Sequence, residues 1–468
     1  MDDLYQYDQE YRDSLATVDA EGNRVWIYPK KPGGRLHNLR ILVTVILLTL
    51  LFAGPFIKVD GQPLFLFNIF QRKFILFGQV FWPQDFILFG LGMMTFFVFV
   101  ILFTAAFGRL WCGWACPQTL FMEMVFRKIE YLIEGDANQQ RKLNGAPWTT
   151  GKIVKKATKH LIFIVISLII SHLLMAYLIG VDEVRNLVMA GPSREMAGFL
   201  GLLVFTGIFY GVFSYFREQA CIVVCPYGRL QGVLLNKDSI VVAYDWLRGE
   251  PRGKLQKGKV AEDKGDCIDC KLCVHACPTG IDIRNGTQME CVNCTACIDA
   301  CDQVMTKINK PTGLIRMDSY NGIKDGKQLR FGGRLIGYSA VLAGLIGLLS
   351  YLLISRADVE TTVLRVPGQL YQETPQGNIS NLYNIQVINK TFDDIELEIE
   401  VLDPPEAIIS RVGQASTMVP ANGMVEGVYF VEIPRNLIAK TKTSIKLGIY
   451  SENELLENVN TNFLGPAR

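Results

Sequence analysis

Five uncharged apolar stretches constrain this chain more than any other feature: residues 41–57, 86–107, 161–180, 196–216 and 335–355. A helix of about 20 apolar residues crosses a bilayer. Each stretch therefore reads as a membrane span, and the first is the weakest, being short and containing Pro55. Residues 61–84 are also apolar but are interrupted by Arg72 and Lys73. They read as an interfacial or re-entrant piece, with a sixth span as the weaker option. The stretch from Ile41 is not a signal peptide, because forty residues precede it and no small-residue cleavage pattern follows.

Lys and Arg in the flanks set the orientation. Lys30, Lys31, Arg35 and Arg40 precede the first span, and Arg109, Arg127, Lys128, Arg141, Lys142, Lys152, Lys155, Lys156 and Lys159 lie between spans two and three. Between spans three and four there are only Arg185 and Arg194. The N-terminus is expected in the cytoplasm and the tail after Ser355 outside. That tail has 9 Lys and Arg against 15 Asp and Glu. Half of the 468 residues are hydrophobic, 20% are charged and the net charge is +2. This balance excludes a disordered chain and a strongly basic nucleic-acid binder.

All twelve cysteines fall between Cys112 and Cys301, in segments expected on the cytoplasmic side. Disulfides belong to oxidising compartments, so these thiols point to metal or redox chemistry. Cys267-x2-Cys270-x2-Cys273-x3-Cys277-Pro278 is followed by Cys291-x2-Cys294-x2-Cys297-x3-Cys301. Both runs have the spacing of bacterial two-cluster ferredoxins, in which the fourth cysteine serves the other cluster. One 4Fe-4S cluster is expected on Cys267, Cys270, Cys273 and Cys301, the other on Cys291, Cys294, Cys297 and Cys277. Thr279, Gly280 and Ile281 should pack beside the cysteines, and His275 should be a surface residue. Asp302 stands where the first run has Pro278. Zinc is the competing reading, but its sites usually need four ligands in two pairs.

The other four cysteines form a second set. Trp111-Cys112-Gly113-Trp114-Ala115-Cys116-Pro117-Gln118-Thr119 follows span two, and Cys221-Ile222-Val223-Val224-Cys225-Pro226-Tyr227-Gly228-Arg229 follows span four. Each pair reads C-x3-C-P, an internal repeat of a span and its edge. Positions i and i+4 share a helix face, and proline suits the first turn of a new helix. Pro117 opens an amphipathic run, residues 118–133. Cys116 and Cys225 would sit near helix N-termini, where thiolate is favoured, with Arg109, Arg217 and Arg229 nearby. Cys112, Cys116, Cys221 and Cys225 could converge on one soft site for copper, zinc or a third iron–sulfur cluster; packed free thiols are the alternative. His160 and His172 are 12 residues apart and lack a partner histidine on another span. They read as hydrogen-bonded packing residues, not haem ligands.

The tail changes character. Residues 361–366, 383–389, 396–401, 425–432 and 444–450 have β-branched or alternating patterns, with turns such as Asp403-Pro404-Pro405 and Pro420-Ala421-Asn422-Gly423. Regular short strands predict an immunoglobulin-like β-sandwich. It contains no Cys or His, so docking and dimerisation are its expected roles. The domain plan is 1–40 cytoplasmic, 41–235 a four-span membrane domain, 236–333 ferredoxin-like, 334–356 a fifth span and 357–468 the β domain.

These motifs in this order, with Val25-Trp26-Ile27-Tyr28-Pro29 before the first span and Leu464-Gly465-Pro466 at the end, resemble the cytochrome c oxidase accessory protein family, the CcoG/FixG/RdxA group. The resemblance covers nearly the whole chain. It implies a bacterial inner-membrane protein with a periplasmic C-terminal domain. It also implies reduction of Cu(II) to Cu(I) for assembly of cbb-type cytochrome oxidase, with copper chaperones and assembly factors as partners. The electron donor, quinol or a cytoplasmic reductant, is left open. A quinol-linked electron-transfer subunit and a non-catalytic assembly scaffold are the competing readings.

Overall fold

Long apolar runs have no backbone partners of their own except within a helix, and helices are what these runs form. The computed structural model describes residues 17–18, 21–59, 62–69, 73–193, 195–254, 264–326, 332–368, 370–413, 417–438 and 440–466. The flanking charges Arg72 and Arg194 lie outside these residues. The apolar helices are α1 (Arg35–Ala53), α2 (Phe86–Phe107), α3 (Thr150–Ile179), α4 (Met196–Gly211) and, after the shorter α5 (Ala296–Lys307), α6 (Gly333–Ile354). Among the described residues, five helices are long and apolar enough to cross a membrane, the fourth counted through Phe216. The chain divides into two units, Met1–Leu349 and Ser350–Arg468.

In the first unit, α3 and α4 pack against the segment after α2. That segment begins as a helix, Pro117–Leu120, widens to a π-helix over Phe121–Phe126, and returns to an α-helix over Arg127–Ile133. The expected amphipathic run is thus helical, with a wider turn that sends Phe121, Met122 and Phe126 into one core with Phe163, Ile170 and Phe213. Phe126 stacks on Phe213 at 4.8 Å and meets Phe163 edge-on at 4.7 Å.

Among the described residues, 61–84 form no sixth helix long enough to cross a membrane. They carry a small antiparallel sheet, Phe65–Asn68, Lys73–Leu76 and Gln79–Phe81. Phe77 and Gly78 make its turn with φ of 53° and 80°. Alternation places Leu66, Ile75 and Val80 in a core against Trp82, while the Lys73 ammonium lies 5.9 Å from the Trp82 ring centroid.

The ferredoxin-like insert is closed at its base by a two-stranded sheet, Val241–Tyr244 against Ile315–Asp318. It is tied to α1 by Asp299, a buried residue of α5. The Asp299 carboxylate accepts from the backbone N–H of Leu36 at 3.1 Å and of His37 at 2.7 Å. These are orphan donors of the first helical turn, and a carboxylate there also complements the helix dipole. Gly34 has φ 146°, and a Cβ on it would collide with Asp299. The N-terminal segment runs over the same region, with Lys30 N–H donating to the His275 carbonyl at 2.7 Å and Tyr131 to the Pro29 carbonyl at 3.1 Å.

The second unit contains two antiparallel sheets built from β1 (Val359–Arg365), β2 (Asn378–Asn389), β3 (Glu398–Asp403), β4 (Ile408–Val412), β5 (Met424–Pro434), β6 (Lys442–Ser451) and β7 (Glu454–Leu464). One sheet runs β4-β5-β2-β1 and the other β3-β6-β7. Period-two alternation buries Ile379, Tyr383, Ile385, Val431, Leu447 and Phe463 in a shared core. The Tyr383 hydroxyl donates to the Asn462 carbonyl at 2.9 Å, linking the two sheets.

Candidate metal centre

The two ferredoxin runs fold alike. Two positions in each loop take positive φ without glycine: Asp269 and Lys271 in the first, Asn293 and Thr295 in the second, all between 51° and 63°. Each is at the same place relative to its cysteines. The left-handed steps wrap each loop tightly, and they appear twice because the loop appears twice. A short helix, Leu272–His275, follows the first loop and α5 follows the second.

The cysteines of each run lie within electrostatic reach of one another, and Cys273 and Cys297 connect the two runs. Charge on Cys267 and Cys270 reaches Cys273 and Cys301. Charge on Cys277 and Cys294 reaches Cys291, while Cys297 feels Cys294, Cys291, Cys277 and Cys273. Cys273, Cys277, Cys291, Cys294 and Cys297 line one cavity with Thr279, Ile281 and Ile283. Thr279 and Ile281 are buried against the cysteines, and the Cys277 sulfur lies 3.3 Å from the Thr279 hydroxyl. His275 is exposed. Asp302, where the first run has proline, lies inside α5, which runs on to Lys307, and its carboxylate accepts from the Gly313 N–H at 2.8 Å.

Burial pushes the thiols of Cys273, Cys291 and Cys301 up to about 12 and that of Cys294 up to about 11. Such thiols do not ionise unaided at neutral pH. A coordinated metal deprotonates a thiol outright. Eight cysteines in two runs fit two 4Fe-4S clusters, which Cys267, Cys270, Cys273 and Cys301 and Cys291, Cys294, Cys297 and Cys277 would hold.

The two C-x3-C-P segments are a structural repeat with a constant offset of 109 positions, as Gly108 and Arg217, Cys112 and Cys221, and Cys116 and Cys225 show. Each begins with a residue in an unusual conformation, Gly108 at φ 57°, ψ −135° and Arg217 at φ 52°, ψ −120°. A short helix then carries the first cysteine, in Leu110–Trp114 and in Ala220–Val224. The second cysteine caps the next helix, with proline at its first turn. The backbone N–H groups of Gln118 and Thr119 point at the Cys116 sulfur.

The repeat brings the four cysteines into one neighbourhood, although among the described residues no three Cys, His, Asp or Glu side chains are grouped closely enough to hold a single metal ion. Cys116 feels Cys112 and Cys225, and Cys221 feels Cys116 and Cys112. The Thr119 hydroxyl bonds Cys221. Cys112 donates to Gln231 Oε1 at 3.4 Å, and Gln231 is wholly buried. The helix N-terminus was expected to favour thiolate. Burial outweighs it: Cys116 is raised and Cys221 is pushed up to about 12.

Both repeats reach the ferredoxin insert, and Tyr227 of the second packs on the cluster that Cys112 of the first forms with the second loop. Cys112 shares an apolar cluster with Val292, Cys294 and Ala296. A Cβ on Gly113 would lie 2.4 Å from the Val292 carbonyl and 2.9 Å from Cys294 Cα. The second repeat has Ile222 at the position equivalent to Gly113.

Beneath the four cysteines lies a buried ionic network. Arg127 pairs with Glu123 at 2.6 Å and with Glu218 at 3.5 Å, and Glu218 also pairs with Arg24 at 3.1 Å. Arg217 pairs with Glu130, and Lys159 with Glu134 at 3.0 Å. Burial raises the Glu130 carboxyl, but Arg217, Lys159 and Arg127 outweigh it and hold it below the ordinary range. Arg217 and Glu218 thus anchor the strained entry to Cys221. Scattered single charges do not announce such a network in a sequence, although Glu123 and Arg127 have helical i, i+4 spacing. The two span histidines are satisfied locally: His160 Nδ1 lies 2.8 Å from the Tyr210 hydroxyl and His172 Nδ1 2.8 Å from the Leu168 carbonyl.

Paired cysteine loops, together with five helices long and apolar enough to cross a membrane, define a protein of the iron–sulfur oxidoreductase class. Family models agree: a 4Fe-4S dicluster domain matches residues 216–320, a 4Fe-4S binding domain matches 89–134, and the IG-like fold at the C-terminus of FixG, a candidate oxidoreductase, matches 349–466. Protein RdxB of Cereibacter sphaeroides is 33% identical over 442 residues, 89% of this chain and 90% of its own. RdxA of the same organism is 33% identical over 430 residues, 86% of this chain and 88% of its own. Nitrogen fixation protein FixG of Rhizobium meliloti is 31% identical over 431 residues, 83% of this chain and 82% of its own. The chain belongs to the FixG/RdxA family. A crystal structure of a FixG-related protein from Vibrio parahaemolyticus covers 23% of this chain and 97% of its own, at 20% identity and a TM-score of 0.19.

Proposed function

We propose that this protein is a five-span membrane metalloreductase that reduces Cu(II) to Cu(I) at Cys112, Cys116, Cys221 and Cys225. The observation that supports this reading is the mutual electrostatic reach of Cys112, Cys116, Cys221 and Cys225, with Cys112 packed against Val292 and Cys294 of the second ferredoxin loop. When bound, 4Fe-4S clusters supply electrons one at a time. Reduction of Cu(II) consumes one electron and no proton. Sulfur ligands are soft and favour Cu(I), so the four thiols stabilise the product over the substrate. Cys112 and Cys221 sit in the short helices, and Cys116 and Cys225 cap the next ones. The Pro117 and Pro226 turns hold the donors apart from the apolar helices. Gln231 and Thr119 orient Cys112 and Cys221.

In this reading the N-terminus and cysteines are cytoplasmic, and the β domain, residues 357–468, is periplasmic and serves docking or dimerisation. Cu(I) passes to copper chaperones and assembly factors of a cbb-type oxidase. The test is anaerobic mixing of the dithionite-reduced protein, freed of excess reductant, with Cu(II) and a Cu(I) chelator. Cluster absorption should recover as chelated Cu(I) appears, one copper per electron. Clusters that stay reduced with Cu(II) but reoxidise with a quinone would overturn copper reduction in favour of a quinone-linked electron-transfer subunit.

A further inference from the structure

Two arginines stand between the four-cysteine group and the second ferredoxin loop. Arg40, on α1, is 3% exposed, and its Nε donates to the Gly113 carbonyl at 2.7 Å. Arg109, just past α2, is 5% exposed and donates to the Met289 carbonyl. Arg127, Arg217 and Lys159 nearby each pair with a glutamate. Among the described residues, Arg40 and Arg109 make no ion pair with a carboxylate. One nitrogen of each, Arg40 Nη2 and Arg109 Nε, is buried without a hydrogen-bond partner.

A buried cation without a counter-charge is strongly destabilising. Negative charge must therefore come from elsewhere. Glu123, whose charge also reaches Cys294, is already paired with Arg127, and Asp299 caps α1, which leaves the cysteine sulfurs as the groups that can carry it. The Arg40 charge reaches Cys294, and the Arg109 charge reaches Cys291 and Cys221. The first loop has the opposite arrangement. Its arginine, Arg284, is bonded by Asp269 and Asp282, each at 2.6 Å. Its positive charge is already neutralised by carboxylates, whereas that of the second loop is not.

We propose that Arg40 and Arg109 are positioning residues that supply the counter-charge to the thiolates of the second loop. They raise the reduction potential of the cluster held by Cys291, Cys294, Cys297 and Cys277 above that of its neighbour. Extra negative charge on reduction is better tolerated where fixed positive charge lacks a carboxylate. The electron-rich state is thereby held on the side of the insert that touches Cys112. This inference rests on the two-cluster reading of the cysteines.

The experiment is a redox titration of the full-length protein in detergent, followed by electron paramagnetic resonance. Two waves in the parent protein test the two-cluster reading by itself. Cys270→Ser, at an exposed ligand of the first loop, identifies the wave of the second loop as the one that survives. In Arg40→Gln and in Arg109→Gln that wave should fall by about tenfold in its reduction equilibrium, about 59 mV for one electron. The other wave should stay within error. Arg40→Lys and Arg109→Lys keep the charge and should stay near the parent potential. If a Gln variant fails to load iron, the Lys variant at that position decides, and a shifted wave there overturns the proposal. An unmoved second wave in both Gln variants, equal shifts in the Gln and Lys variants, or both waves falling together would also overturn it.

Discussion

The eight ferredoxin cysteines and the four C-x3-C-P cysteines are gathered by different means. In the first set, intervals of three residues and paired left-handed steps at Asp269, Lys271, Asn293 and Thr295 wrap each loop locally. In the second, two short segments separated by a constant 109 positions meet only because α2, α3 and α4 carry them to one place. The first set depends on loop conformation, the second on helix packing and on the ionic network beneath it. Damage to one should therefore leave a different signature from damage to the other.

The largest expected effect is on metal content. Cys294→Ser should lower iron from about eight to about four per chain, one cluster being four irons. Cys112→Ser, Cys116→Ser, Cys221→Ser and Cys225→Ser together should leave about eight. Iron and acid-labile sulfide assays read both, and an equal loss in the two variants would break the distinction.

Glu218→Gln comes next. Glu218 is 1% exposed and neutralises both Arg24 and Arg127. Removing one partner of a buried pair destabilises by about 3–5 kcal/mol. Detergent-phase denaturation should show this loss, while the iron content of the folded fraction stays unchanged. Gly113→Ala should destabilise by about 1–3 kcal/mol, because its methyl meets backbone and not a yielding side chain. Gly207→Ala, where nothing lies within 4 Å, is the matching control and should be near neutral. A neutral Gly113→Ala would mean that Cys112 and the second loop do not touch.

The smallest effect concerns the second unit. Tyr383→Phe removes the hydrogen bond to Asn462 and should weaken the β domain by about 0.5–1.5 kcal/mol. Differential scanning calorimetry of the full chain reads this as a lower melting transition, with iron content and copper reactivity unaffected.

This contrast also explains what was legible in the sequence. Cluster-binding runs are marked by spacing, so the 4Fe-4S dicluster region around Cys267 to Cys301 was legible from the chain alone, and its buried neighbours Thr279 and Ile281 with it. Apolar helices follow from composition, and five stretches became five helices with ends shifted by several residues, as at Thr150 where polar turns extend α3. The strands around Ile75 were hidden because a half-buried β pattern of Phe, Leu and Ile resembles an interfacial segment. Strand β7 was missed because Asn and Glu occupy most of its outward positions. Asp299 capping α1, the approach of Gly113 to Val292, and the unpaired Arg40 and Arg109 left no sequence signal. Each is a contact between residues far apart in the chain, chosen by how the elements pack.

The central claim is that Cys112, Cys116, Cys221 and Cys225 form one soft copper site distinct from the ferredoxin loops. Copper-edge X-ray absorption on full-length protein with one Cu(I) added per chain tests it most directly. The account predicts a shell of sulfur alone, lost when all four cysteines are replaced by serine while iron stays in place. A nitrogen or oxygen shell, or a sulfur shell that survives the fourfold replacement, would contradict it.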